Sequence, residues 1–290
     1  MTKTKETIFI TETPRDAMQG LTGFIPTITK TQYINLLLKC GFECVDVGSF
    51  VSPKAVPQMA DTSEVISLLN PSGSASKMMG IVGNVRGANQ SALESKVKIM
   101  GFPYSVSGSF LKKNLNTTPE LAWQTVLDLR DICELSQKEL RVYVTMAFGN
   151  PYGDAWNDEI VLQEVEKLYN AGIRNLVFSD ITGEGTPGNI ERLCSLLINS
   201  FPESKLGIHL HSKPYDWQPK VEAAWSAGIR NFEGALGGFG GCPMTGYELL
   251  GNLDTLRLID WCEQNQISHN IVEKALHEAR HFSTEVFKHQ

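Results

Sequence analysis

Two histidines separated by one residue end an apolar stretch in the last third of the chain. His209 and His211 follow Leu206-Gly207-Ile208, a short run that indicates a β-strand. Side chains two apart on a strand point to the same side, so both imidazoles can reach one metal ion. The pair could equally make ordinary hydrogen bonds at a strand end. The motif alone leaves both interpretations open.

A carboxylate could complete this ligand set. Asp16 follows the first predicted strand, and in a barrel the first and seventh strands are close enough for it to face the histidines. One carboxylate, two imidazoles and open positions suit an octahedral divalent ion such as Mg²⁺, Mn²⁺ or Co²⁺. Structural zinc would require more thiolates. Taken alone, Asp16 is read more simply as a loop residue paired with Arg15.

A glycine-rich segment near residue 240 carries a cysteine. Gly237, Gly238, Gly240 and Gly241 precede Cys242. Such a segment can move and can bring its backbone close to a ligand. A cysteine on it could deliver a proton once the loop closes over a substrate. The alternative is a flexible turn with an incidental thiol.

Short β-branched runs alternate with longer helical patterns along the chain. We predict strands at residues 8–12, 44–48, 78–83, 104–107, 141–146, 175–180, 207–211 and 230–234. We predict helices at residues 29–40, 62–69, 90–99, 119–135, 158–170, 189–200, 218–226 and 253–263. An uninterrupted alternation of this kind favours a parallel sheet closed as a TIM (β/α)8 barrel. Enzymes of this class carry their chemistry at the carboxyl ends of the strands.

The ends of several helices have clear signals. Thr118 before Pro119 predicts a capped helix start, and Gly172 and Gly228 predict left-handed helix ends. A further helical segment at residues 270–287 is expected to pack outside the barrel. We therefore predict one catalytic domain over residues 1–290, with additional C-terminal helices from about residue 265.

Composition and charge argue against several classes of partner. The 290 residues carry a formal net charge of −6 without a concentrated basic segment, so neither nucleic acid nor an anionic membrane is an expected partner. No run approaches the roughly 18 apolar residues of a membrane span, and the polar start lacks a signal core. The six scattered cysteines indicate reduced thiols. We expect a cytoplasmic protein.

Six motifs occur in the order found in the 3-hydroxy-3-methylglutaryl-CoA lyases. They lie at residues 14–19, 49–59, 185–188, 209–211, 238–243 and 251–253. The long segment at 49–59 is the most specific of them, and the match extends from about residue 8 to residue 256. The chain thus resembles this family of metal-dependent TIM-barrel lyases.

The resemblance implies a cofactor and its ligands. Asp16, His209, His211 and Asn252 would bind a divalent metal ion, with Mg²⁺ or Mn²⁺ preferred. A small-molecule acyl-CoA would be the substrate. A homodimer is compatible with the sequence, although no interface signature identifies one.

The resemblance also implies roles for the remaining site residues. Arg15 would stabilise the enolate oxygen of the departing thioester, Gln19 would orient the substrate and Cys242 would be the catalytic cysteine of the mobile loop. His209 or Asp46 could remove the hydroxyl proton, and the sequence does not choose between them. Residues 112–114 resemble a stretch near the coenzyme A entrance.

The chain departs from the family pattern at several polar positions. At four of them, Thr11, Asp46, Ser212 and Leu256, the usual acid is replaced by a shorter or uncharged residue. Glu12, beside the altered position on the first strand, is expected to point the other way. The altered positions are Thr11, Ala17, Met18, Gly20, Asp46, Asn150, Ile181, Ser212 and Leu256. These changes affect the expected substrate more than the reaction type.

Three functional hypotheses follow from this pattern. The leading one is a hydroxymethylglutaryl-CoA lyase, a carbon–carbon lyase that gives acetyl-CoA and acetoacetate and would fit leucine degradation. The second is a related lyase or condensing enzyme acting on another 3-hydroxy-3-substituted acyl-CoA. The third is a barrel that binds an acyl-CoA or a metal without efficient turnover.

Overall fold

Eight parallel strands close into a barrel in the computed structural model, which describes residues 6–241 and 250–288. The strands are β1 (Phe9–Glu12), β2 (Cys44–Ser49), β3 (Lys77–Ile81), β4 (Val97–Ser105), β5 (Glu139–Thr145), β6 (Asn175–Asp180), β7 (Lys205–Leu210) and β8 (Asn231–Gly234). Each strand pairs with the next, and β1 pairs with β8 to complete the ring. The predicted (β/α)8 architecture is confirmed.

Helices follow the strands on the outside of this barrel. They are α1 (Pro14–Gln19), α2 (Thr27–Leu37), α3 (Thr62–Leu68), α4 (Val85–Leu93), α5 (Gly108–Leu115), α6 (Pro119–Leu135), α7 (Asp158–Asn170), α8 (Pro187–Ser200), α9 (Trp217–Ser226), α10 (Thr255–Gln264) and α11 (Glu273–Val286). Among the described residues, no helix has the length and apolar character needed to cross a membrane.

The prediction of a helix at residues 90–99 is wrong in its second half. The helix α4 ends at Leu93, and β4 begins at Val97. Val97 and Ile99 are fully buried while Lys98 between them is exposed, which is the alternation of a strand. A short apolar run at the junction of two elements does not distinguish helix from strand by period alone.

The predicted helix ends are confirmed. The Thr118 side chain accepts a hydrogen bond from the Leu121 N–H at the start of α6. Gly172 and Gly228 have φ angles of 87° and 103°, which an L side chain adopts only under strain. These caps stop α7 and α9 directly before β6 and β8 and so fix where each strand begins.

The C-terminal helix lies outside the barrel, as predicted. The helix α11 packs on α2, where Tyr33 stacks against Phe282 at 6.5 Å and meets Phe287 edge-on at 6.0 Å. A separate group of buried side chains fills the barrel interior: Cys44, Met79, Ile81, Ile99, Tyr143 and Val177. Interior side chains of this kind form a floor on which the polar residues at the strand ends rest.

Glu12 is buried on the outer side of β1. Its Oε1 accepts a hydrogen bond from the Leu236 N–H at 2.8 Å, and its Oε2 accepts one from the Thr255 hydroxyl at 2.6 Å. Burial raises the pKa of Glu12 to about 8, although both hydrogen bonds act in the opposite direction. The expectation that Glu12 points away from the barrel interior is confirmed.

Glu12→Gln should lose less stability than the wild type as the pH rises from 4.5 to 8. The wild-type carboxyl ionises near pH 4.5 when unfolded and near pH 8 when folded, so its contribution to stability is complete below pH 4.5 and is lost as the pH rises to 8. The loss is up to about 1.4 kcal/mol per pH unit. The glutamine side chain keeps the shape of the glutamate without its charge. The free energy of unfolding of the variant should therefore fall less across this window than that of the wild type.

Urea unfolding at several pH values between 4.5 and 8.5 measures this difference. Glu166→Gln, an exposed change on α7, is the matched control and should follow the wild type. Parallel curves for wild type and Glu12→Gln would contradict the prediction.

Candidate active site

The two histidines at the end of β7 face each other at the mouth of the barrel. Their Nε2 atoms lie 2.9 Å apart, and both residues are buried, with 7% of His209 and 1% of His211 exposed. The Nδ1 of His209 lies 3.1 Å from a carboxylate oxygen of Glu233, and the Nδ1 of His211 lies 2.9 Å from the Leu250 carbonyl oxygen. Each ring is therefore anchored on the side away from its partner.

These anchors determine where the ring protons lie. A carbonyl and a carboxylate can only accept, so the Nδ1 of each histidine carries the proton. In two neutral rings, both Nε2 lone pairs then point at each other across 2.9 Å. This arrangement is repulsive unless a proton or a cation lies between the two nitrogens. It is the arrangement expected of two imidazoles that share one ion.

The pKa values of the pair agree with this interpretation. Burial, followed by the charge of His209, lowers the pKa of His211 to about 4. Burial alone would lower the pKa of His209, but the hydrogen bond to Glu233 and the charges of Glu233 and Asp16 together outweigh burial and raise it. His211 is therefore a neutral imidazole at physiological pH, free to act as a ligand, and Glu233 increases the basicity of His209.

Asp16 and Asn252 complete the cluster. One oxygen of Asp16 and one ring nitrogen of each histidine all lie within 4.8 Å of one another. The Nδ2 of Asn252 donates to Asp16 Oδ2 at 2.9 Å, while its buried Oδ1 has no hydrogen-bond partner in the part of the chain described. Burial opposes ionisation of Asp16, yet Arg15 and the two histidines lower its pKa to about 2.

These residues fit a divalent cation. The two facing nitrogen lone pairs and the amide oxygen of Asn252 have no donor among the described residues. They lie beside the ionised Asp16 carboxylate, which accepts from Arg15, Gln19 and Asn252. One carboxylate, two imidazoles and one amide suit Mg²⁺ or Mn²⁺ with positions left for other ligands. The structure thus brings together Asp16, His209, His211 and Asn252, the four residues that the sequence proposed as ligands.

Arg15 lies beside this cluster on α1, directly after β1. Its Nε and Nη2 donate to Asp46 Oδ2 at 2.8 and 2.7 Å, and its Nη1 donates to Asp16 Oδ1 and Gln19 Oε1, each at 2.9 Å. Gln19 in turn donates to Asp16 at 2.7 Å. Burial raises the pKa of Asp46 to about 6 against the opposing charge of Arg15. The guanidinium is therefore fixed in orientation at the edge of the proposed metal site.

Sequence reasoning missed a buried network beneath His209. One oxygen of Glu233 on β8 accepts from Arg141 Nη1 at 2.9 Å and from the Tyr143 hydroxyl at 3.1 Å, and the other faces His209. Arg141 also donates to Thr11, where the family usually has a glutamate. Alternation along β5 and β8 places these side chains in the interior, and that pattern was the only available signal.

A cavity of about 160 Å³ opens above these residues. Its polar wall includes Arg15, Asp16, Gln19 and His209, all of which the sequence proposed for the site. The opposite part is largely apolar and is lined by Val51, Ile81, Phe110, Leu115 and Ile181. Asn114, from the stretch proposed for the coenzyme A entrance, also contributes to the wall.

Of the positions that differ from the family pattern, Ile181 lines this cavity. Asp180 turns away from it to accept from Lys220 at 3.3 Å, whereas the next residue, Ile181, lines it. Asn150 holds a loop by bonding the backbone N–H and carbonyl of Asp154. Cys242, proposed as a catalytic residue, lies outside the described residues.

Comparison with known proteins gives one family. The HMGL-like family model matches residues 6–282. The mitochondrial hydroxymethylglutaryl-CoA lyase of Mus musculus is 30% identical over 85% of this chain and 75% of its own length. The hydroxymethylglutaryl-CoA lyase of Bacillus subtilis is 28% identical over 92% of this chain and 89% of its own length.

The chain belongs to the HMGL-like family.

Solved structures of HMG-CoA lyases have the same fold. The enzyme from Acinetobacter baumannii, solved in complex with coenzyme A and 3-methylmalate, superposes with a TM-score of 0.92 at 28% identity, covering 100% of this chain and 94% of that one. The Bacillus subtilis enzyme gives a TM-score of 0.90 at 27% identity, covering 97% and 94%. The barrel of this HMGL-like chain is therefore that of the lyases over its whole length.

Glu233→Gln should weaken metal binding about 10- to 100-fold, the usual effect of changing a residue that orients a histidine ligand. The side-chain amide has one acceptor atom where the carboxylate has two. It can accept from His209 or from Arg141, but the other donor then faces an NH₂ group. The ring of His209 loses its fixed orientation.

Calorimetric titration with Mn²⁺ measures this effect. Glu139→Gln, the same change near the opposite end of the barrel at the start of β5, is the control and should bind as the wild type does. Unchanged affinity in Glu233→Gln would show that Glu233 does not orient His209.

Proposed function

We propose that this chain cleaves 3-hydroxy-3-methylglutaryl-CoA to acetyl-CoA and acetoacetate, with a divalent metal ion as cofactor. The main support is the convergence of four acceptor side chains beside a fixed arginine at the mouth of the barrel. The names of the curated relatives and of the matching structures support the same reaction. The chain would thus be a carbon–carbon lyase of the oxo-acid type.

The reaction makes distinct demands on the site. The 3-hydroxyl loses its proton, and the bond between the second and third carbons breaks. The bonding electrons pass to the thioester, which leaves as an enolate and then takes up a proton at carbon. Asp16, His209, His211 and Asn252 would hold the metal ion, which when bound lowers the pKa of the hydroxyl and fixes the substrate's conformation.

Asp46 is the better of the two proposed proton acceptors. The ring nitrogens of His209 are both committed, one to Glu233 and one to the shared position opposite His211. Asp46 has an oxygen, Oδ1, without a partner among the residues described, and burial raises its pKa to about 6. A carboxylate with that pKa is ionised at neutral pH and is a stronger base than an ordinary aspartate.

Arg15 is suited to the enolate. It is permanently charged, its position is fixed by two carboxylates, and it lines the cavity. Donors fixed in advance at the place where charge develops stabilise a transition state without reorganisation. Cys242 remains the proposed proton donor to the enolate carbon, and Gln19 is proposed to orient the substrate.

Acetoacetate release from 3-hydroxy-3-methylglutaryl-CoA tests the proposed function. We expect turnover with added Mg²⁺ or Mn²⁺ and none after chelation. Asp16→Ala should lose both bound metal and activity, since it removes the only carboxylate of the ligand set. Asp131→Ala, an exposed change on α6, should lose neither. Bound metal without cleavage of any thioester would refute the lyase assignment.

Arg15→Gln should lower kcat by about 10²–10³ because one charged contact to the transition state is lost. Metal affinity should change little, as Arg15 is not a proposed ligand. Steady-state kinetics and Mn²⁺ titration on the same sample separate the two effects, and Arg130→Gln on the outer face of α6 is the control. Near-wild-type turnover would exclude Arg15 as the enolate partner.

A related substrate is the second candidate. Ile181 lines the cavity in place of the family's usual threonine. Asp46, which pairs with the cavity residue Arg15, is one methylene shorter than the family's usual glutamate. A panel of 3-hydroxy-3-substituted thioesters with larger apolar groups would detect this alternative as a higher kcat/KM. The relatives include mitochondrial and cytoplasmic lyases, and the cytoplasm stays a prediction for this chain.

A further inference from the structure

We propose that the hydroxyl of Ser179 binds the substrate's carboxylate and thereby selects acyl-CoA substrates that carry an acid group. This inference rests on the proposed function and adds to it a residue that recognises one end of the substrate. No site residue considered so far supplies a donor to that end.

Ser179 lies at the level of the metal site. It is on β6, in register with Thr145 on β5 and with His209 on β7, and it lines the cavity beside them. Ile181, two residues further along the same strand, lines the same wall. The Ser179 side chain therefore faces the barrel interior next to a proposed metal ligand.

The hydroxyl of Ser179 has no hydrogen-bond partner among residues 6–241 and 250–288, although only 2% of the residue is exposed. Its neighbours are engaged elsewhere, since the Thr145 hydroxyl donates to the Tyr104 carbonyl and His209 faces Glu233 and His211. A buried hydroxyl without a partner is costly. Within the described ranges, Ser179 is the only such side chain that lines this cavity.

The position of Ser179 in the ring of strands indicates which part of the substrate it meets. Arg15 and Asp46, proposed to act on the thioester and the hydroxyl, belong to the β1–β2 side of the mouth. Ser179 lies on β6, on the far side of the ring. A substrate that directs its thioester toward Arg15 directs its other end, the carboxylate, toward Ser179. A hydroxyl donor binds a charged acceptor more strongly than a neutral one.

Ser179→Ala tests this assignment. KM for 3-hydroxy-3-methylglutaryl-CoA should rise about 10- to 100-fold, the range for a lost hydrogen bond to a charged group, while kcat changes little because the contact exists before and during the reaction. The melting temperature should stay the same or rise, because an unpaired buried hydroxyl is removed. A purely structural serine would give the opposite change in stability.

Ser91→Ala is the matched control. Ser91, on α4, is also fully buried and also lacks a partner in the described part of the chain, but it does not line the cavity. Its removal should leave KM unchanged. Ser179→Cys keeps approximately the volume of the wild type with a weaker donor and should raise KM in the same direction.

Two probes identify the group that Ser179 contacts. The first is 3-hydroxy-3-methylbutyryl-CoA, a competitor without the carboxylate, whose inhibition constant should be the same for wild type and Ser179→Ala. The second is the free diacid 3-hydroxy-3-methylglutarate, which should bind more weakly to Ser179→Ala in calorimetry with Mg²⁺ present.

These measurements separate failure of this inference from failure of the proposed function. Equal diacid affinity in wild type and variant, or an equal loss for the competitor, overturns the role of Ser179 even if the wild type cleaves the thioester. A fall in kcat at constant KM overturns it as well. Weaker diacid binding by the variant supports it even if the wild type cleaves a different thioester.

Discussion

Two imidazole nitrogens held 2.9 Å apart, with their lone pairs facing, are the constraint on which the rest of the site depends. Neither ring can rotate away, because Glu233 and the Leu250 carbonyl hold the opposite nitrogens. Strand β7 alone could not impose this arrangement, since a strand sets direction but not ring orientation. The residues behind the two histidines therefore maintain an arrangement that fits a cation.

Glu233 connects this constraint to the barrel interior. One of its carboxylate oxygens contacts His209, and the other accepts hydrogen bonds from Arg141 and Tyr143. Arg141 reaches across the interior to Thr11 on β1 and so joins β5, β8 and β1. Breaking a buried, fully paired network of this kind leaves a charge without compensation. The network therefore fixes the position of β5 relative to β8 and β1 beneath the barrel mouth.

The sequence predicted the parts of this arrangement that depend on local pattern. Strand alternation and the carboxyl-end rule placed His209, His211 and Asp16 at one mouth, and the motif resemblance added Asn252. The network around Glu233 was not predicted, because which interior side chains meet depends on register between strands that are far apart in sequence. The junction near Val97 was wrong for a different reason, since one short apolar run fits two periods.

Charge balance explains why a metal and an acidic substrate belong together here. The described mouth and interior hold three carboxylates, Asp16, Asp46 and Glu233, against the two guanidiniums of Arg15 and Arg141, so negative charge exceeds positive by one. A divalent cation on the ligand set reverses this excess and leaves the mouth positive by one charge. An acyl group with a single carboxylate then neutralises the site, and a carboxylate buried beside a cation is far less costly than one buried alone.

A neutral acyl group would leave that positive charge uncompensated. The site therefore favours acidic substrates even before any hydrogen bond is counted, and a donor such as Ser179 would add direction to an attraction that the buried charges already provide.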